Sequence, residues 1–464
     1  AWLLRWGVKW PDFFQVLIAA AAVVLMLMAM LRPARGPAPP GAAALEASAR
    51  QTPSSRIGYA GFVFFVGLGW WLMLDLSATG HYANRFHALY QEAYVFAAFV
   101  VLTLLAPMRQ RLAHTLGRWF GLFLLLARPR GVGLRRYLPW ATYAAVAAVV
   151  LFAAAASRKQ QTQLTSEIFR LWLLVGASWF FMVRGESALS LSGLSSGGLK
   201  NTLRGLLFVW PLLFVLAVPL LGLILTDDFG PLFVLLYAAS IFVGTAFAFA
   251  FFDRVGYRPW LGGAMGVLCA GAWVYGLTYA LYSLPAPVAR VAERLASVRS
   301  PFSASNDQLA IITWFQESAP SGGYGIGAVP WCGEGALAAC RGVPRQIQSD
   351  YVYTALVGVY GKATAVALVA LLACWLVRVV IHHGRATRGV VVLASAAATQ
   401  QAWLSWIGVC WVGLTLAQLA ITVAGNLGWL PLTGITFPFV SFGAWSLLAN
   451  TFFLSLAINL PRKT

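Results

Sequence analysis

Carboxylates are scarce in this chain, and several stand where chemistry could use them. The 464 residues hold 14 Asp and Glu against 33 Lys and Arg. A carboxylate can take a proton from a hydroxyl, and a guanidinium can hold a phosphate. Glu167 and Arg170 lie three residues apart, so a helix would put them on one face. They read either as a local ion pair at a helix start or as charges lining a cavity. Asp227-Asp228 precede Phe229-Gly230 and an apolar run, where an N-cap explains Asp228 as well as a binding role does. Asn306-Asp307-Gln308 precede the run LAIITWF, and Ser349-Asp350-Tyr351 open another, so both sites could equally be helix caps. Between them runs Ser321-Gly-Gly-Tyr-Gly325-Ile-Gly327, whose glycines, Gly323 among them, permit a tight loop close to a ligand or a membrane surface. Cys332 and Cys340 share a polar loop, but neither a His nor a second Cys pair accompanies them, so no zinc site is expected.

The elements that must hold these groups are apolar. The chain is 60% hydrophobic and 10% charged, against roughly 25% charged residues in a soluble domain. That excludes a soluble protein. About eleven spans of membrane-crossing length recur: 13–31, 58–77, 92–107, 138–156, 166–183, 205–225, 231–252, 259–282, 351–377, 398–424 and 437–460. The expected fold is an all-α polytopic membrane protein with about 10–11 transmembrane helices and one large extracytoplasmic loop, 283–350. Residues 13–31 are too long an apolar run for a signal-peptide core and lack a small-residue cleavage site, while the opening AWLLRW, without Met, suggests a trimmed start. Residues 32–57 form a Pro/Ala/Ser-rich linker, and 108–137 carry many arginines around GLFLLLA, a run short enough for a surface-lying amphipathic helix.

Basic residues concentrate in 32–57, 108–137, 184–204, 253–258, 378–397 and the PRKT tail, which places those segments and the C-terminus in the cytoplasm. This accounts for the net charge of +19 without a nucleic acid, for which no basic stretch is long enough. Eleven carboxylates then fall outside or at outer helix ends: Asp12, Asp75, Glu92, Glu167, Asp227, Asp228, Glu293, Asp307, Glu317, Glu334 and Asp350. Only Glu46, Glu186 and Asp253 fall inside. Charge-sided insertion hardly concerns carboxylates, so the skew favours a functional outer face. The outer compartment is oxidising, and a Cys332–Cys340 disulfide is expected there. Cys269, Cys374 and Cys410 lie in apolar runs and read as inert core residues.

The last span is interrupted. Pro431 and Pro438 remove backbone donors within GNLGWLPLTGITFPFVSFGAWSLLAN, and Gly434 and Gly443 loosen what remains. Such backbone survives in a bilayer only where protein or a water-filled cavity covers it. The string resembles the C-terminal signature of the SEDS (shape, elongation, division and sporulation) proteins, the RodA/FtsW type, through Asn426, Pro431, Thr433, Gly434, Ile435, Pro438, Phe439, Ser441 and Gly443. Four further segments resemble that family in its order: Ser166-Glu167 with Arg170 where the family has Lys; Asp228 and Gly230; the loop from Pro301 through Gln308 to the glycines; and Asp350, preceded by Gln348 in place of His. The family's Glu pair after that Asp is absent, leaving Gly358-Val-Tyr-Gly361. Ser300 stands before Pro301, where the family carries the Asp taken as its catalytic base.

The resemblance covers about 138–460 and divides the chain into an N-terminal membrane region, 1–137, and a SEDS-like domain, 138–464. It implies a peptidoglycan glycosyltransferase of the bacterial inner membrane, multi-pass, that polymerises lipid II beside a class B penicillin-binding protein. Asp307, adjoining Gln308, is then the nearest carboxylate to act as base, ahead of Glu293 and Glu317. Glu167, Arg170, Asp228, Gln308, Gly323, Asp350, Thr433 and Ser441 are the implied cavity and substrate-binding residues, and Arg294, Arg299, Arg341 and Arg345 join Arg170 as candidates for the pyrophosphate. No cofactor is evident, and a magnesium ion stays open. Two other classes also stay open. One is a non-catalytic SEDS-like protein that binds lipid-linked sugar or recruits a transpeptidase, which Ser300 favours. The other is a transporter or flippase, which would pair carboxylates at mid-membrane.

Overall fold

A computed structural model describes residues 53–78, 93–100, 307–326, 347–387, 396–432 and 434–458, with helical positions also at 170, 172–174, 176–178, 221, 234, 237–238, 272, 276 and 279. Among these the regular structure is entirely helical. The helices are α1 (Pro53–Ala78), α2 (Asp307–Ser318), α3 (Val352–Tyr360), α4 (Lys362–Thr387), α5 (Ala396–Asn426) and α6 (Ala444–Ile458). Among the described residues three stretches are long and apolar enough to cross a membrane: Gly58–Leu76 in α1, Lys362–Val379 in α4 and Trp406–Asn426 in α5. The protein is an all-α polytopic membrane protein. Its contacts divide it into two compact units: Ala1–Met108, Ser297–His382 and Thr422–Thr464 form one, and Arg109–Ala296 with His383–Ile421 form the other.

Hydropathy locates the long helices well, but the ends move for local reasons. α1 starts at Pro53, inside the stretch read as linker. Proline suits a helix start, where its missing N–H is not needed. The expected span 351–377 is two helices, because Gly361 breaks it with φ 86°. The expected span 437–460 becomes regular only at Ala444, since the chain before it is a turn-rich loop.

The first unit packs α1 and α4 around that loop. Phe439, buried at the loop's tip, meets Phe62 of α1 edge-on at 6.0 Å and Trp375 of α4 at 5.3 Å. Phe62 also stacks edge-on with Phe99 at 5.6 Å. Gly69 of α1 lies so close to Val440 that a β-carbon would run into its carbonyl. Protein therefore covers the interrupted backbone on this side, as a bilayer requires. Cys374 departs from expectation. It is exposed on α4, beside Val366, Leu371 and Val377, while Cys410 is buried in α5. An apolar run alone does not distinguish a core face from an outward one.

Candidate active site

Pro438 and Phe439 set the conformation of the interrupted segment. Val440 N–H donates to Pro438 O at 2.8 Å, closing a three-residue turn around Phe439, whose φ is 63°. This is the rarer, strained hand of γ-turn, and only the packing of the Phe439 ring can hold a β-carbon-bearing residue in it. The loop's two ends then tie to the chain before α3. Phe437 N–H donates to Ser349 O at 3.3 Å, and Phe442 N–H donates to Gln348 O at 2.8 Å. Ser441, buried, turns its hydroxyl onto Phe437 O at 2.7 Å, within the loop.

The end of α5 faces the same segment. Trp429 N–H bonds Ala424 O at 2.9 Å and Gly428 N–H bonds Gly425 O at 3.1 Å. With Gly428 at φ 71°, these bonds make a Schellman stop, and Pro431 follows where no helix could continue. Asn426, in this last turn, is fully buried and uses its whole side chain. Its Nδ2 donates to Asp350 O at 2.9 Å and to Thr422 O at 2.8 Å. Its Oδ1 accepts from Thr354 N–H at 3.2 Å and from Thr354 Oγ1 at 2.8 Å. An amide side chain has two donors and two acceptor lone pairs, so nothing is left over. Thr354 lies in the first turn of α3, where N–H groups lack intrahelical partners. The residue before the helix, Tyr351, supplies no side-chain cap. Asn426 therefore caps α3 from 72 residues away.

Gln316, in the last turn of α2, completes the group. Its Nε2 donates to Thr354 Oγ1 at 3.0 Å and to Asn426 O at 2.7 Å. Composition and periodicity did not single out Gln316; the only signal was a polar residue amid Leu309, Ile312 and Phe315, which are buried at helical spacing.

These bonds place Asp350 at the start of α3 with its carboxylate buried beside the broken loop. A β-carbon on exposed Gly434 would lie 3.7 Å from Asp350 Oδ2. Next to it Gln348 buries its side-chain oxygen without a hydrogen-bond partner, an acceptor that a bound donor could use.

The glycine loop joins the site through main chain. The break at Gly361 leaves the carbonyls of Gly358 and Val359 without their usual partners in the helix. Tyr324 N–H donates to Gly358 O at 2.8 Å, and Gly325 N–H donates to Val359 O at 3.1 Å. Gly323, at φ 75°, sits so close that a β-carbon would lie 2.5 Å from Val359 O. The amides of 323–325 are thus committed to the protein, Gly323 N–H to Pro320 O at 2.9 Å. Glycine here lets two backbones touch; these amides do not form an anion cradle. Just beyond, Lys362 reaches Glu317 at 3.6 Å across exposed surface.

Asp307 and Gln308 form the first turn of α2. Arg170 lies in the second unit, where its guanidinium donates to Thr415 Oγ1 at 3.1 Å, and that hydroxyl donates to Trp411 O at 2.8 Å. Glu167, Asp228, Thr433, Cys332 and Cys340 lie outside the described residues, as do Ser300, Glu293, Arg294, Arg299, Arg341 and Arg345. Among the described residues no three His, Cys, Asp or Glu side chains come together, so they assign no magnesium site.

A buried polar core that joins two helix ends to an interrupted, protein-covered loop defines a helical membrane protein with a built site at one end of its spans. The profile of the FtsW, RodA and SpoVE cell cycle proteins matches residues 346–464. Over this segment the chain is similar to that family. A relative named probable peptidoglycan glycosyltransferase FtsW, from Caulobacter vibrioides (strain NA1000 / CB15N), is 28% identical over 298 residues, 64% of this chain. The chain spans 62% of that relative's length. A protein of the same name from Enterococcus hirae is 42% identical over 65 residues, 14% of this chain and 16% of that protein. A chain from a solved peptidoglycan synthase complex, described as coordinating polymerization and crosslinking, aligns over 79% of this chain and 96% of its own at 18% identity, with a TM-score of 0.33. At that score the overlap carries no argument.

Proposed function

We propose that this chain polymerises lipid II into glycan strands at the outer face of the bacterial inner membrane, with its C-terminus in the cytoplasm and a class B penicillin-binding protein as partner. One observation carries the reading. Three motifs that resemble the SEDS pattern, far apart in sequence, meet in one unit: the glycine loop, the segment at Asp350 and the signature from Asn426 to Gly443. The names of the relatives support the reaction class.

In that reaction an acceptor sugar hydroxyl attacks the anomeric carbon of a lipid-linked disaccharide. The bond from that carbon to the pyrophosphate oxygen breaks, and the polyprenyl pyrophosphate leaves with the electron pair. Asp307 takes the hydroxyl proton, and buried Asp350 and the unpartnered Gln348 oxygen orient the sugar. The outer-loop arginines Arg299, Arg341 and Arg345 bind the leaving pyrophosphate, and a magnesium ion bound to it would neutralise charge.

The test uses the purified full chain in detergent with lipid II, alone and with a transpeptidase-inactivated class B penicillin-binding protein. Glycan strands resolved on a gel are expected. If neither condition yields polymer, polymerisation is overturned. Retained lipid II binding would then favour the non-catalytic reading, for which Ser300 in place of the family's Asp speaks.

A further inference from the structure

We infer that Gln316 is a positioning residue: it fixes helix α2, which begins at the candidate base Asp307, in register with the segment that carries Asp350. The inference rests on the proposed glycosyl transfer.

Apolar contacts and hydrogen bonds hold α2 in different ways. Leu309, Ile312 and Phe315 bury one face of the helix. That burial keeps α2 against its neighbours but constrains a slide along its own axis weakly, because hydrophobic attraction is non-directional. Gln316 supplies the direction. Its two N–H groups point to two acceptors on different elements, Thr354 Oγ1 at 3.0 Å on α3 and Asn426 O at 2.7 Å at the end of α5. Two bonds from one planar amide fix both rotation and axial position. Both acceptors belong to the group that holds Asp350, since Asn426 Nδ2 donates to Asp350 O at 2.9 Å. A short chain of bonds thus runs from α2 through Asn426 to Asp350.

The bonds also serve the acceptors. Asn426 O lies in the last turn of α5, where carbonyls lack intrahelical partners, so Gln316 caps α5 as Asn426 caps α3. Gln316 is itself 7% exposed, which keeps water from substituting for it. Directly after α2 comes the glycine loop that straps onto Gly358 and Val359. A slip of α2 would therefore shift its first residue, Asp307, and the strap together. Misplacing a reacting group by about 1 Å can cost roughly 10²-fold in rate.

Gln316→Met keeps the length and packing and removes both donors. The full chain would be studied in detergent, with nitroxide labels replacing Trp314 on α2 and Val366 on α4, both exposed, in a background lacking the five native cysteines. The expected results are a broadened or shifted distance distribution, a kcat for lipid II polymerisation lowered at least about tenfold, and lipid II affinity within about twofold of wild type. An unchanged distance overturns the inference, whatever the activity. Loss of kcat only in proportion to loss of folded protein or of lipid II binding also overturns it, because that is what a purely structural residue would do. If Gln316→Met does not fold, Gln316→Glu serves, with the same shape and at most one donor, and should change distance and kcat in the same direction. If wild type makes no polymer, the polymerase reading falls, and the distance measurement still decides whether Gln316 holds α2.

Discussion

Removing the Asn426 side chain should loosen α3 far more than loss of a helix cap would. Asn426→Ala deletes four hydrogen bonds of 2.8–3.2 Å, two to Thr354 and one each to Asp350 O and Thr422 O. At about 1 kcal/mol net per bond the sum is about 4 kcal/mol. Burial raises the cost, since an orphaned buried donor such as Thr354 N–H costs about 1–3 kcal/mol by itself. An isolated cap would cost only about 1 kcal/mol, or about fivefold in an opening equilibrium. The network sum corresponds to about 10³-fold, so the two differ by more than the error of either. Hydrogen–deuterium exchange read by mass spectrometry on peptides covering 349–360 measures that opening. Asn426→Ala should speed exchange there at least about hundredfold. Asn426→Asp should keep the first turn of α3 capped, because a carboxylate is a good acceptor at a helix N-terminus, while removing the donor to Asp350 O. The argument is refuted if Asn426→Ala leaves exchange in 349–360 within about threefold of wild type, for then the four bonds are not holding the segment.

Gly361→Ala should lower the melting temperature in detergent. Its β-carbon would meet Ser321 O, and φ 86° with ψ 162° is a region almost reserved for glycine, costing about 1–3 kcal/mol in conformation and about 1 kcal/mol for each of the two strap bonds, while Gly322→Ala, with open space around it, should melt like wild type. Phe439→Ala should cost about 3–5 kcal/mol, and Phe439→Gly should be no worse. That reverses the usual order of Ala over Gly, because φ 63° strains alanine and not glycine; melting of the two variants compares them directly. Under the proposed reaction, Asp307→Ala should lower lipid II polymerisation about 10²–10⁴-fold with unchanged melting. Near-normal activity there, with loss in Glu293→Ala or Glu317→Ala, would move the base to that residue.

Chain chemistry by itself determined the class of protein and the place of its interruption. Long apolar runs can only be helices in lipid, so 58–77 and 398–424 anticipated α1 and α5 closely. Pro431 and Pro438 cannot donate to a helix whatever surrounds them, so the broken last segment was legible. Asp350, Gly323 and Ser441 were singled out by the resemblance to the SEDS motifs, and the structure brings their segments together. Tertiary structure alone decided the rest. Gly361 looked like one more small residue inside a span; it breaks the helix because Ser321–Gly325 presses on it from elsewhere in the chain. Phe439 adopts a positive φ because Phe62 and Trp375 clasp its ring. Cys374 faces outward while Cys410 is buried, although both lie in equally apolar runs. Gln316 and Asn426 find their partners 110 residues apart, and a hydrogen bond at that separation leaves no trace in local periodicity. Hydropathy records how much apolar surface a segment must bury, and proline and glycine record which backbone angles it can adopt. Which donor meets which acceptor is settled only when the helices pack.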